Sequence, residues 1–259
     1  EVTNTVVWSN RDISVYGSYE GVGTPGNHSL VQWPTVIRQP AGFTPYLRLL
    51  LMQDVTNGIL RDVILQGGRV YKDSGACLYI SGGTNITLSA VTLQNGYGYS
   101  DNGGTLYGAG LYANGVSNLG LFGCTIRSNT FTINAASVVG AGMYVANSSM
   151  TVSNTLIWAN GISPAGWLGP VAGGVYLTGG ASVFRDCVVR ANYTTGNGGT
   201  TYGAGLTISS GTHAFRNCLV TLNSVTAGTG DGVYVGGGTV NLDNCTVAHN
   251  FGQGILRAG

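Results

Sequence analysis

The sequence predicts an all-β fold, a right-handed parallel β-helix (β-solenoid) of about seven to eight coils with variable loops on one side. Three observations predict it. The composition supplies strand and turn residues but few helix formers. Two short motifs recur along most of the chain at a nearly constant distance from one another. When the recurrences are aligned, like residues fall into columns.

The 259 residues are 43% apolar, enough for a sizeable core, yet only 8% are charged and 44 are Gly. Helix faces normally draw on Lys, Glu and Arg, so helices should be scarce. Thr, Val, Asn, Gly and Ser suit β-branched strands joined by turns that need left-handed backbone. A net charge of +1 with no basic run gives no field for nucleic acid. No apolar run approaches the roughly 20 residues that cross a bilayer, so membrane insertion is not expected. The opening Glu1-Val2-Thr3-Asn4 does not read as a signal peptide.

The first motif, Cys124-Thr-Ile-Arg-Ser-Asn129, recurs from Thr155, Cys187, Cys218 and Cys245, with earlier copies from Val63 and Val91. Its steps are 28, 33, 31, 32, 31 and 27 residues. The second motif, Gly110-Leu-Tyr-Ala113, recurs from Cys77, Gly142, Gly174, Gly205 and Gly232, and its second residue always lies 12 or 13 residues ahead of the first motif. The variation in period therefore falls after the first motif, between coils. A propeller blade would need four antiparallel strands in about 40 to 45 residues, and a left-handed hexapeptide helix a strict period of six. Neither fits.

Alternation then assigns the columns. Val63, Val91, Cys124, Thr155, Cys187, Cys218 and Cys245 point inward, as do Leu50, Leu78, Leu111, Met143, Val175, Leu206, Val233 and Ile255. Coils about 4.8 Å apart place each side chain on its equivalents above and below. Gly68, Gly96, Asn129, Asn160, Asn192, Asn223 and Asn250 close the first motif. Because Gly and Asn both tolerate positive φ, a left-handed turn is expected there, with the five Asn amides forming a structural turn ladder. Residues 1–46 are less regular, with strands expected at 12–17 and 34–38 around an excursion, whereas residues 47–259 form the regular coils of one continuous domain.

The unit Gly-Ala-Gly-Leu-Tyr, an apolar strand, then Asn-Cys-Thr-Val-Ala-His-Asn is similar to the right-handed parallel β-helix repeats of bacterial surface and secreted proteins, including polymorphic outer-membrane proteins and adhesin-like proteins. The resemblance covers roughly residues 47 to 256 and implies export and exposure outside the cell or on its surface. Its repeats are scaffold signatures and bring no catalytic residues.

Candidate sites each have a structural alternative. Cys124, Cys187, Cys218 and Cys245 read as a core thiol column, since in-register side chains point the same way and rarely reach disulfide torsions, and no Cys-x-x-Cys suggests metal. Tyr79, Tyr112, Tyr144, Tyr176 and Tyr234 make an outward aromatic ladder, read as mutual stacking with sugar contact as the alternative. Tyr97, Tyr99, Phe131, Trp167, Tyr193 and Tyr202 lie in the variable loops, either as a glycan- or protein-binding face or as loop packing.

The chemical inventory argues against an enzyme. No two acids are adjacent, Lys72 is the only lysine, and Asp101 and Asp231, like Asp62 and Asp186, fall about four coils apart, which suits neither paired carboxylates nor a Ca²⁺ cluster. No cofactor and no metal are expected. The five Asn-x-Ser/Thr matches carry little weight in a chain this rich in those residues. The strand-like residues 3–8 and the half-copy Gly254-Ile255-Leu256 lack a cap, so a homo-oligomer by end-to-end stacking into a filament is an expectation too. The reading as a whole is an extracellular structural or adhesive scaffold, with a polysaccharide-binding or polysaccharide-degrading module as the alternative.

Overall fold

The computed structural model describes residues 1–22, 26–43, 45–101, 104–133, 137–164, 172–195, 201–226 and 228–258. No α-helix occurs among them. Three long sheets contain nine, eight and eight strands, and every strand pair within them is parallel. One coil illustrates the winding: Leu111–Asn114 lies in the first sheet, Ser117–Phe122 in the second and Thr125–Arg127 in the third. Registers hold the aligned motifs level, with Leu78, Leu111, Met143 and Val175 paired in sequence along the first sheet.

The inward columns are dry. Leu50, Leu78, Leu111, Met143, Val175, Leu206 and Val233 are buried, as are Val63, Val91, Cys124, Thr155, Cys187 and Cys218. Cys245 and Ile255 belong to the same columns but are partly and largely exposed, because they lie in the last turn. The second sheet adds its own column, Leu60, Leu88, Leu121, Val152, Phe184 and Phe215, with the last two rings stacked at 4.8 Å. Burying each such side chain contributes about 1.5 to 3 kcal/mol.

The early residues join the same winding. Val6–Ser9, Ser14–Tyr16 and Thr35–Arg38 pair in register with the next coil. The excursion between the last two strands is clasped to the coil by His28 Nε2, 3.0 Å from the buried Asp62 carboxylate, which also accepts from Arg61 Nε.

The turns correct one expectation. The left-handed residue is not the Asn or Gly that closes the first motif but the one before it: Gly67, Asn95, Ser128, Ala159, Ala191, Leu222 and His249, with φ from 51 to 77°. Asn129, Asn160, Asn192 and Asn223 are fully buried and serve hydrogen bonding instead. Asn192 Oδ1 accepts from Asn160 N at 3.1 Å and Asn160 Nδ2 at 3.0 Å, while Asn192 Nδ2 donates to Ile157 O and to Asn223 Oδ1. The same pattern runs from Asn129 to Asn250. The motif glycines follow from it: a Cβ on Gly142 would sit 2.8 Å from Asn160 Nδ2, and one on Gly205 2.8 Å from Asn223 Nδ2. Where Gly96 replaces Asn, Cys77 takes the glycine's place and its Sγ fills the space the amide would need. A second, exposed ladder joins Asn57, Asn85 and Asn118 at the turn between the first two sheets.

The segment after the first motif also differs from the loop expected there. It contributes a fourth parallel sheet of six strands, among them Tyr97–Ser100 and Thr130–Ile133. A separate small core lies behind it, formed by Leu106, Ala109, Phe131, Val138, Ala141 and Ile162. Its strands are two to four residues long with Gly98 and Gly161 among them, too short and too glycine-rich to show alternation in the sequence.

Three expected outcomes test the two ladders and the interior. Asn192→Ala strands two donors on Asn160, the Ile157 carbonyl and half the Asn223 acceptor, so we expect a loss of at least about 3 kcal/mol in denaturant unfolding. Asn85→Gly, which keeps the left-handed backbone at φ 56° and removes only the amide of the exposed ladder, should cost less than about 1 kcal/mol. His213 is buried in the second sheet, and burial lowers its pKa below the ordinary value. As pH falls through about 6.5 the unfolded chain takes up a proton that the folded chain resists, so stability declines. The melting temperature should therefore drop between about pH 7 and pH 5, and His213→Leu should flatten that drop.

Candidate binding face

The outward residues are what the coils offer to a partner, and the four larger sheets offer different surfaces. On the first sheet, Tyr79, Tyr112, Tyr144 and Tyr176 stack on one another at 4.4, 5.5 and 5.6 Å between ring centroids. Tyr107 packs on Tyr144 at 4.4 Å, and the Arg48 guanidinium lies 4.3 Å over Tyr79. Where Thr207 interrupts the ladder, Tyr202 folds from its loop onto Tyr234 at 4.5 Å. Burial pushes Tyr112 and Tyr144 up to about 12. With their faces taken by each other and by loop residues, these rings cover the sheet and leave little π-surface for a ligand.

The loop aromatics divide. Phe131 is fully buried in the small core, which removes it from any binding face. Tyr99 stacks on Tyr71 at 6.1 Å, Tyr97 lies under Arg69 at 5.4 Å, and the Tyr193 ring covers Gly161. All three are half-buried. Trp167 lies outside the described residues. The acids of these loops hold structure: Asp101 accepts from Tyr71 Oη and pairs with Lys72, bonds that keep its carboxyl below the usual range, and Asp231 Oδ1 accepts from Val225 N.

The thiols face inward and all five cysteines are free. Burial pushes Cys77 up to about 12 and Cys124 to about 11. A hydrogen bond shared with Cys218, together with burial, pushes Cys187 up as well. Cys77, Cys124 and Cys187, held neutral in the interior, are packing.

The third sheet is different. Register places Arg38, Gln66, Gln94, Arg127, Trp158 and Arg190 in one outward column on successive coils. None of its eight strands contains an acid. Gln94 Nε2 donates to Gln66 Oε1 at 2.7 Å, and Arg127 Nε donates to Gln94 Oε1 at 2.8 Å, which fixes the guanidinium. Trp158 sits between two guanidiniums, Arg127 at 5.9 Å and Arg190 at 6.0 Å from the ring. Beside the column lies an open groove of about 410 Å³ whose floor is Ile64, Thr92, Thr125 and Leu156. Leu30 and Pro34 of the excursion line the adjoining hollow.

None of these column residues stood out as a site in the sequence. The signal was present in the fourth position of the aligned motif, which reads Gln66, Gln94, Arg127, Trp158, Arg190, Thr221, Ala248. Strand alternation makes that position outward, and a Trp flanked by Arg in the rungs above and below is what distinguishes it.

No curated protein and no solved structure matches the chain. A family model described as "right handed beta helix region" matches residues 52–226, six of the coils and about two thirds of the sequence. The chain belongs to the right-handed parallel β-helix family.

Proposed function

We propose that this chain is a non-catalytic extracellular scaffold that adheres to a carbohydrate through the outer face of its third sheet. The observation that carries the reading is the half-exposed Trp158 held between Arg127 and Arg190 on a sheet whose strands contain no acid. The indole offers a flat, electron-rich surface to the C–H face of a sugar ring, and the flanking guanidiniums and Gln94 offer directed donors to its oxygens. Both are needed for a carbohydrate, which is amphipathic.

The remaining features favour a scaffold over an enzyme. Asp62, Asp101 and Asp231 are each engaged in holding a turn or loop. Asp62 and Asp186 occupy the same turn position four coils apart, on the order of 19 Å at the stacking distance, too far for a glycosidase pair. Export and surface exposure rest on the similarity of the repeats to those of bacterial surface proteins.

A glycan array followed by titration of the ligand found tests the proposal. Trp158→Ala should weaken binding at least tenfold, about 1.4 kcal/mol, with an unchanged melting temperature, and Tyr176→Ala in the stacked ladder should leave affinity unaltered. A chain that binds no glycan, or whose binding ignores Trp158, would refute it.

A further inference from the structure

The charges of the third sheet indicate which carbohydrate. Among the described residues, most acids near a cation are paired: Glu1 with Arg38, Asp62 with Arg61, Asp73 with Arg48, Asp101 with Lys72, Asp243 with Arg216. Arg11, Arg69, Arg127, Arg185, Arg190 and Arg257 have no ion-pair partner among those residues; of these, Arg127 and Arg190 stand in the outward column of the third sheet, and Arg69, on the adjoining fourth sheet, borders that column beside Arg38 and Gln66. Arg127 is steered by Gln94, and both Arg127 and Arg190 border Trp158. Further along the column, Arg38, Gln66 and Arg69 line a second groove of about 330 Å³. The hydrogen bond from Gln94 to Gln66 links the two grooves. Arg38 is only loosely occupied, since its contact with Glu1 is 3.4 Å and both side chains are about half exposed; such pairs contribute little and yield to a better anion.

We infer that this column is a binding strip for a linear anionic polysaccharide, lying parallel to the solenoid axis from Arg38 and Arg69 past Gln94 to Arg127, Trp158 and Arg190. The inference rests on the carbohydrate reading above and adds the charge and direction of the ligand. Arg127 and Arg190 are two coils apart, on the order of 10 Å, and Arg38 lies three coils beyond Arg127, on the order of 14 Å. Three cations in file at those intervals match a chain with carboxylates or sulfates repeated along it. A compact anion could engage only one of them. Trp158, between two cations, would hold a ring whose substituents reach both sides. The planar forks of arginine suit either oxyanion, and the tests below separate the two sources of charge.

The experiment measures binding of the full chain to polygalacturonate, dextran sulfate, uncharged dextran and single-stranded DNA at low and high salt. The expected result is binding to one or both acidic glycans that weakens with salt. Arg127→Gln combined with Arg190→Gln should weaken it at least tenfold and flatten the salt dependence, with an unchanged melting temperature. The identity of the preferred acidic glycan assigns the anion as carboxylate or sulfate. Dextran bound as tightly as the acidic polymers would overturn the inference and leave the carbohydrate reading standing. Failure to bind any glycan would overturn both. Tighter binding to DNA than to either acidic glycan, or acidic-glycan binding indifferent to the double variant, would also overturn it.

Discussion

The constraint on which this structure depends is that every coil must repeat the hydrogen bonding and the side-chain shape of the coils beside it. The core of a parallel solenoid is packed rung by rung and cannot average over local mismatch. Each inward residue packs on its equivalents one rung away, and each strand finds its backbone partners there. The buried asparagine ladder is the most demanding case. A primary amide has one strong acceptor and two donors, and in Asn160, Asn192 and Asn223 all three are used within the stack. A polar group in the dry interior is tolerated only because its neighbours are identical to it.

That requirement explains which parts of the fold could be read from the sequence. Columns that must match from rung to rung leave a repeat, so Leu78, Leu111 and Met143, the cysteines and the asparagines were legible as inward ladders. The purpose of the asparagines was only half legible. Gly and Asn share a tolerance for positive φ, which pointed to a left-handed turn, but the turn is made by Ser128, Ala159, Ala191 and Leu222, residues with no special preference for it. What Gly96 and Asn129 share is a hydrogen bond: the backbone N–H of each donates to the Asn Oδ1 of the next rung. The fourth sheet escaped notice for the opposite reason. Tyr97–Ser100 and Thr130–Ile133 do align, but their inward residues, Gly98 and Phe131, complement each other in size instead of repeating.

The outward surfaces obey a weaker rule, because water accepts any polar residue there. Repetition on the outside therefore marks stacking, as in Tyr79, Tyr112, Tyr144 and Tyr176, whose rings satisfy one another. Departure from repetition marks the candidate site. In the third sheet, Gln, Gln, Arg, Trp and Arg follow one another without any structural need to match, and Trp158 is the single large aromatic among them. A search for conserved-looking ladders finds the scaffold and passes over this column. The same logic accounts for the scattered acids, which fasten the excursion and the loops at Asp62, Asp101 and Asp231.

The asparagine ladder can be examined directly by hydrogen exchange of side-chain amides followed by NMR. If Asn160, Asn192 and Asn223 are held rung to rung in a dry interior, their Nδ2 protons should persist as long as the slowest backbone amides and exchange only when the stack opens. Exchange as fast as that of the exposed amides of Asn57, Asn85 and Asn118 would contradict the ladder and with it the register of the coils.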